Sequence, residues 1–361
     1  MTRDAFDACD YLVVTHLPSF YKVNLYNALA RHLRIGVVFV GATSSGRTAD
    51  FVGARAAFDH VFLNDGAFET GNRLAGCRRV ARIIRRTDYG RLLVNGWDLP
   101  EFWAAVAAGG RSRNCLALES TPWDSAPGGA KGIVKRMFLS RIAEVFAAGT
   151  AHVALLDALR WRGTARITHG VGIIDKPAPR PRPRRDFARR FLFIGRLAPE
   201  KNLAALVAAF AGLPDHTLTI VGNGPEGDRL RAAAPANVAF RTHVDNAAIG
   251  DVFDAHDCLV LPSLREPWGL VVEEAIYRGV PALVSGHCGA AELVRDGVNG
   301  WVFDPAQTGA LDDALRAAGP LTLSGADGQS LIDAKDEQQV AAYVAAAGER
   351  ARERGATAVA A

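Results

Sequence analysis

The sequence lacks several features that would assign it to particular protein classes. None of its apolar runs reaches the ~18 residues that a membrane-spanning helix needs. Its five cysteines are scattered and include no C-x-x-C pair, so neither a disulfide framework nor a cysteine zinc site is expected. Acidic residues precede the short apolar run near the N-terminus, which is not the pattern of a secretory signal. These absences predict a reduced, cytoplasmic protein.

The net charge of +4 hides an uneven distribution. Residues 1–190 hold 29 Lys and Arg against 16 Asp and Glu, whereas residues 191–361 hold 13 against 22. Anionic lipid head groups, a lipid diphosphate or nucleic acid would all suit such a basic first half. The basic helix predicted over Cys77–Arg86 lacks interleaved aromatics. The arginine face of this helix is therefore expected either to be solvated or to bind an anionic membrane surface, which would attach the protein peripherally at the cytoplasmic face. We expect no binding to nucleic acid.

Apolar strands alternate with amphipathic helices on both sides of one proline-rich segment, which predicts two α/β domains with doubly wound parallel sheets. The predicted division is a Rossmann-like domain over 1–175, a Pro/Arg-rich linker over 176–190, a second Rossmann-like domain over 191–335, and a terminal helix and tail over 336–361. Predicted helices include Val23–Leu33, Ile133–Ile142 and Gln338–Arg354.

The most informative stretch runs from Cys258 to Phe303. A short apolar strand leads into a loop broken by prolines, then a helix over roughly 269–278, another strand, and a second loop and helix around Gly289. Glu266 lies in the first loop and Glu274 in the helix, and the free amides of Gly269 and Leu270 lie between them. Such a set suits a group with both phosphates and hydroxyls, for instance a nucleotide sugar. The alternative is that Glu273 and Glu274 are solvated helix acids.

The residues Ser263-x-x-Glu266-Pro-x-Gly269, Glu274, Gly279-Val-Pro281 and Gly297-x-x-Gly300 resemble family-4 retaining glycosyltransferases, or glycosyl transferases group 1. The resemblance covers nearly all of the second half. It implies a GT-B fold, with two Rossmann-like domains facing across a cleft, acceptor on the first and nucleotide diphospho-sugar on the second. It further implies that a sugar is transferred to an acceptor hydroxyl with retention of the anomeric configuration. The implied acceptor is a lipid-linked glycan in polysaccharide or lipopolysaccharide synthesis.

The resemblance also implies residue roles. In Gly195-Arg-Leu-x-x-x-Lys201, Arg196 and Lys201 match the pair that holds the donor diphosphate. Glu266 would bind a hydroxyl of the donor sugar, and His16, the first-loop histidine, would act near the reacting carbon. The implied catalytic residues are Glu266, Arg196, Lys201 and His16. The implied donor-binding residues are Gly195, Arg196, Lys201, Gly222, Gly224, His243, Glu266, Gly269, Leu270 and Glu274, the last on the ribose diol.

No Asp-x-Asp pair stands in a suitable loop of the sequence. We therefore expect no essential metal and no cofactor, because protein cations and amides can balance the charge of the leaving group. In the first half, polar side chains follow several predicted strands: Lys22, Asn95, Trp97, Asp98, Glu119, Ser120 and Asp124. Tryptophan beside aspartate suits sugar recognition, although a structural role for each is the alternative.

Two other functions stay open. Gly222-x-Gly224-x-x-Gly227 follows a predicted strand, with Asp245 downstream, and so has the form of a dinucleotide fingerprint. It would suit an NAD-dependent oxidoreductase, although it follows the second strand of its sheet instead of the first and contains Pro225. A non-catalytic membrane-surface protein of the same fold is the other alternative.

Overall fold

The computed structural model describes residues 4–46, 49–178, 186–242, 244, 248–321 and 324–359. The chain divides into two compact units, Met1–Asp175 with Lys335–Ala361, and Lys176–Ala334. The predicted linker lies partly outside the described residues, because 179–185 are not among them.

The first unit contains a seven-stranded parallel sheet in the order β3-β2-β1-β4-β5-β6-β7. Its strands are β1 (Cys9–Thr15), β2 (Ile35–Phe39), β3 (Asp59–Phe62), β4 (Tyr89–Val94), β5 (Asn114–Leu118), β6 (Glu144–Ala147) and β7 (Thr164–Ile167). Its helices are α1 (Phe20–Ala30), α2 (Arg73–Arg86), α3 (Pro100–Ala108), α4 (Gly129–Leu139) and α5 (Thr150–Ala158).

The second unit contains a six-stranded parallel sheet in the order β10-β9-β8-β11-β12-β13. Its strands are β8 (Arg190–Ile194), β9 (Thr217–Val221), β10 (Val238–Arg241), β11 (Cys258–Leu261), β12 (Ala282–Ser285) and β13 (Gly300–Phe303). Its helices are α6 (Leu203–Ala211), α7 (Gly227–Ala233), α8 (Ile249–Ala255), α9 (Leu270–Tyr277) and α10 (Ala310–Ala317). Helix α11 (Gly325–Val359) begins in this unit, and from Lys335 onward it belongs to the first.

The strands are continuous apolar runs because helices cover both faces of each sheet. All five residues of β2 and all four of β11 are buried. The later part of α11 packs on the first sheet, where the rings of Tyr343 and Phe146 stack at 4.2 Å. Within the described part of the chain, no helix is long and apolar enough to cross a membrane.

The strand order reverses once in each sheet, between β1 and β4 and between β8 and β11. At such a switch point the loops leaving the two strands diverge, and a crevice opens at the carboxyl ends of the strands. The prediction of two doubly wound α/β sheets is confirmed. The two reversals indicate where chemistry should be sought.

Several predicted bounds are wrong. The helix predicted over Val23–Leu33 is α1, which begins three residues earlier, at Phe20, and ends at Ala30. Ser19, in the extended conformation, is its N-cap. The predicted helix over Ile133–Ile142 is α4, and the terminal helix Gln338–Arg354 is part of the longer α11. The loop and helix predicted around Gly289 is only a 3-10 turn, Gly289–Leu293, and its first two amides donate to the carbonyls of Glu266 and Trp268 at 3.0 and 2.8 Å.

Candidate active site

The loop that follows β8 packs on the loop that follows β9. The Gly195 amide donates to Val221 O at 3.0 Å, and the Leu197 amide donates to Asn223 O at 2.9 Å. A Cβ on Gly222, which has φ +144°, would lie 1.9 Å from Gly195 O, and one on Gly224 would lie 2.3 Å from Leu197 O. Both glycines are therefore required by the contact between the loops, whatever part they take in donor binding.

Lys201 lies at the end of a 3-10 turn, Pro199–Lys201, just before helix α6. Asn202, at φ +57° and ψ +31°, takes the left-handed conformation and separates it from α6. Arg196, in the same loop, is exposed.

Glu266 and Lys201 form a direct ion pair between the loops that follow β11 and β8. Their side chains are only 12% and 17% exposed, and Ser263 Oγ donates to the Glu266 carboxylate at 3.3 Å. The loop is held at both ends, since the Glu266 amide donates to His287 O at 3.1 Å and the Leu264 amide to Glu200 O at 2.9 Å. The structure thus brings Lys201 and Glu266 together at the β8/β11 reversal.

The N-terminus of α9 lies against the same loop. Gly269 precedes the helix at φ +98°, and a Cβ there would lie 2.9 Å from Cys288 Sγ and 3.3 Å from Glu266 Cγ. Cys288 Sγ contacts Trp268 O at 2.8 Å. Burial raises the pKa of the Cys288 thiol, and the charge of Glu266 raises it further, so the thiol stays a neutral donor. Leu270 supplies the first helical amide, which has no partner within the helix.

The two glutamates of α9 differ. Glu273 is fully buried and accepts a hydrogen bond from Trp268 Nε1 at 2.5 Å, so the expectation that it could be a solvated acid is wrong. Glu274 is half-buried. Sequence reasoning missed the part that Trp268 and Glu273 take in fixing this turn. A tryptophan just before a glycine-started helix, with an acid five residues later, is the signal that could have found it.

In the first unit, His16 follows β1 and Asp98 follows β4, so the pair meets at the β1/β4 reversal. His16 Nε2 lies 2.9 and 3.1 Å from the Asp98 oxygens. The imidazole is held edge-on by Phe68 and Phe102, with ring centroids 5.4 and 4.8 Å away. Desolvation would raise the pKa of Asp98, but the hydrogen bond and charge of His16 outweigh it and lower that pKa overall.

A pocket of about 240 Å³ opens beside His16 and is also lined by Ser19, Lys22, Asn95 and Glu119. Lys22 is buried and forms an ion pair with Glu119. Four of the polar candidates from the first half therefore line one pocket or adjoin it: Lys22, Asn95, Asp98 and Glu119.

The remaining polar candidates lie apart from these contacts or serve the fold. Asp124 Oδ1 accepts from the amide and hydroxyl of Thr121 at 2.6 and 2.5 Å, so it stabilises a local turn. Trp97 packs edge-on against Phe138 at 6.5 Å. His243, predicted to bind the donor, lies outside the described residues, as does Asp245. Among the side chains that are described, no group of three or more His, Cys, Asp or Glu could hold a metal ion.

Residues 178–318 match the family model described as Glycosyl transferases group 1. The match includes both switch-point strands of the second sheet, the two cations, Glu266 and α9. This unit is a group 1 glycosyl transferase domain. The predicted family is thereby confirmed for residues 178–318, whereas the narrower assignment to family 4 and the retention of configuration stay predictions.

Among curated relatives, the chain is 30% identical over 247 residues to a glycogen synthase of Mycobacterium tuberculosis. The alignment covers 65% of this chain and 53% of that protein, so the chain spans about half the length of this group 1 relative. A GDP-mannose-dependent alpha-mannosyltransferase of Corynebacterium glutamicum is 33% identical over 112 residues, covering 31% of this chain and 27% of that protein.

Solved structures extend the similarity beyond the group 1 domain. The lipopolysaccharide outer core galactosyltransferase WaaB matches with a TM-score of 0.69 and 12% identity, over 97% of this chain and all of that one. The Anabaena protein HepE in complex with UDP-glucose matches with a TM-score of 0.66 and 15% identity, over 95% and 99%. At such low identity these matches show the fold alone, and they confirm the GT-B class.

Proposed function

We propose that the chain transfers a sugar from a nucleotide diphospho-sugar to an acceptor hydroxyl. One observation carries the proposal. Lys201, Glu266 and the N-terminus of α9 converge at the β8/β11 switch point, beside the exposed Arg196. Cations and helix amides suit a diphosphate, and a carboxylate suits a sugar hydroxyl. The named activities of the glycogen synthase and mannosyltransferase relatives support it.

The proposed step needs no metal or cofactor. The bond between the anomeric carbon and the diphosphate oxygen breaks as the acceptor oxygen bonds to the same carbon. In the retaining course we propose, the acceptor proton passes to the departing phosphate oxygen on the same face. Arg196, Lys201 and the first amides of α9 stabilise the charge that develops there. Glu266 holds a hydroxyl of the donor sugar, and Glu274 holds the ribose diol.

The acceptor is proposed to bind in the first unit, in the pocket beside His16. The His16–Asp98 pair and the Lys22–Glu119 pair give this pocket both hydrogen-bonding and charged groups. A lipid-linked glycan on the cytoplasmic face of the membrane, in polysaccharide synthesis, is the acceptor class we propose. WaaB, which has the same fold, is a lipopolysaccharide outer core galactosyltransferase, and this is in keeping with the proposed acceptor class.

The proposal is tested first with a panel of nucleotide sugars, by thermal shift and by release of nucleoside diphosphate. We expect one donor to raise the melting temperature and to be turned over. For that donor, Glu274→Ala should weaken binding measured by calorimetry, because the ribose diol loses its acceptor. Glu337→Ala, a change at an exposed helix acid in α11, is the matched control and should leave binding unaltered. A panel in which no nucleotide sugar binds would overturn the proposal.

The oxidoreductase alternative receives no support from the geometry. The glycine fingerprint follows β9, which is one strand away from the reversal, and its first two glycines are occupied by backbone contacts with Gly195 and Leu197. A nicotinamide fluorescence titration that showed binding would revive it.

A further inference from the structure

Helix α4 presents three large apolar side chains that are each about half exposed. Ile133, Val134 and Met137 are 53%, 49% and 59% exposed. Residues at i, i+1 and i+4 share one side of a helix, so the three side chains are contiguous. We call them the α4 stripe. Exposed apolar side chains that cluster in this way mark a site of interaction, whereas single ones need no explanation.

The charged side chains of helix α4 itself are all basic. Helix α4 carries Lys131, Lys135 and Arg136, Arg141 follows its end, and its eleven residues include no Asp or Glu. Lys135 is fixed, since its Nζ donates to Ala126 O at 2.7 Å and lies 5.7 Å from the Trp97 ring centroid. Lys131, Arg136 and Arg141 are exposed.

The basic helix α2, for which the sequence left a solvated face and a membrane surface open, is a poorer candidate. Arg79 Nη1 donates to Phe62 O at 2.6 Å, and Arg79 and Arg82 both pair with Asp4, at 3.5 and 3.2 Å. Among the large apolar side chains of α2, only Leu74 is strongly exposed, at 60%. Part of the charge of α2 is therefore used within the fold, and the helix offers no apolar stripe.

We propose that the α4 stripe inserts into the head-group region of an anionic phospholipid surface, with the surrounding cations on the lipid phosphates. An amphipathic helix whose apolar side is bordered by Lys and Arg lies in the plane of such an interface. Helix α4 is about 16 Å long, enough to lie along several head groups. Charge complementarity selects an anionic lipid, because each cation near such a surface favours binding.

A second feature of the same flank fits the same partner. A groove of about 690 Å³ begins where α4 ends and is lined by Ser140, Arg111, Arg162 and Trp161. Two guanidinium groups and a hydroxyl suit a head-group phosphate, and Trp161 is partly buried beside them. The other end of α4 connects to the loop after β5, which carries Glu119 of the acceptor pocket. Resting on the proposed function, this orientation would present that pocket beside a lipid-linked acceptor.

The test is co-sedimentation with vesicles of equal parts phosphatidylglycerol and phosphatidylcholine, against vesicles of phosphatidylcholine alone. Wild type should bind the anionic vesicles and lose that binding in high salt. Ile133→Ser with Met137→Ser should lower partitioning about ten-fold or more, since two apolar anchors are lost. Lys131→Gln with Arg136→Gln should lower it about five-fold for each charge removed.

Helix α2 provides matched controls. Leu74→Ser removes an equally exposed apolar side chain, and Arg78→Gln with Arg85→Gln removes two exposed charges. Both should bind vesicles within about two-fold of wild type, because the surface lies on α4. If these changes abolish binding and the α4 changes do not, the docking surface is misplaced.

Two further outcomes would overturn the proposal. If wild type bound neutral vesicles as well as anionic ones, the basic side chains would not contribute to binding. A dimer that α4 substitutions convert to a monomer, with vesicle binding unaffected, would identify a second copy of the chain as the occupant. Release of nucleoside diphosphate is measured separately, in buffer without vesicles, so that the proposed activity is tested independently of membrane docking. The α4 variants should retain that release, so its absence in wild type would count against the activity and not against docking.

Discussion

Replacement of Lys201 by methionine tests the proposed site most directly. Methionine keeps much of the aliphatic length and removes the charge. In the structure that charge has a carboxylate partner, Glu266, and both side chains are less than one-fifth exposed. The change therefore removes a cation from the proposed diphosphate site and leaves a mostly buried carboxylate with Ser263 as its remaining side-chain donor.

Two effects of different size should follow. Loss of a preorganised group that stabilises the leaving charge costs about 3–4 kcal/mol, which corresponds to a turnover reduced by roughly 10²–10³. Loss of the partner of Glu266 should lower the free energy of unfolding by about 1–3 kcal/mol, below the cost for a fully buried pair because some solvent reaches it. Adding Glu266→Gln should restore most of the stability, since the uncompensated charge is gone.

The assays are steady-state release of nucleoside diphosphate and urea unfolding of the same samples. Lys176→Met is the matched control, because Lys176 forms an ion pair with Asp333 in the same unit. We expect it to leave turnover within about two-fold of wild type, because neither side chain belongs to the proposed donor site. It should lower the free energy of unfolding by at most about 1 kcal/mol, since Asp333 is 54% exposed and solvent screens the pair. A Lys201→Met protein that turns over within about five-fold of wild type would refute the assignment, since a loss below about 1 kcal/mol cannot come from the leaving-group cation.

Three further predictions concern the fold, pH and metal. Gly222→Ala should destabilise the protein by several kcal/mol in thermal unfolding, because its Cβ would overlap Gly195 O, whereas Gly297→Ala, at φ +70° with nothing within 4 Å, should cost only about 1–2 kcal/mol. If both cost the same, the loop contact is not what requires Gly222. Asp98→Asn should destabilise the fold slightly at neutral pH, and the difference should vanish as pH falls through the lowered pKa of Asp98, because a depressed carboxyl pKa stabilises the fold only while the group is ionised. A deficit in unfolding free energy that persists in acid would contradict this. Turnover should survive exhaustive chelation, and loss restored by Mg²⁺ would contradict the metal-independent step.

The second half of the chain was predictable because its chemistry is local in sequence. The strand, loop and helix from Cys258 onward place Glu266, Gly269 and Glu274 within one short stretch, and the structure has that order. The ion pair between Lys201 and Glu266 joins residues 65 positions apart, and it follows from the parallel pairing of β8 with β11. Once two strands are known to be neighbours, the loops at their carboxyl ends must meet.

Other features depended on tertiary contacts that spacing does not contain. The burial of Glu273 requires the indole of Trp268, so counting helix positions could not separate Glu273 from Glu274. Asn202, which separates Lys201 from α6, has the left-handed conformation. Asparagine adopts this conformation readily, but its presence in a sequence does not predict it. His16 and Asp98 are 82 residues apart in the sequence. Their contact could be predicted only if β1 and β4 were already known to be neighbouring strands.

The charges at the β8/β11 reversal give a physical reason for the metal independence we propose. Arg196 and Lys201 bring two positive charges, the N-terminus of α9 adds about half a charge, and Glu266 removes one, which leaves a surplus of about one and a half. A departing nucleoside diphosphate carries a somewhat larger negative charge, so the site would nearly balance it without a divalent ion.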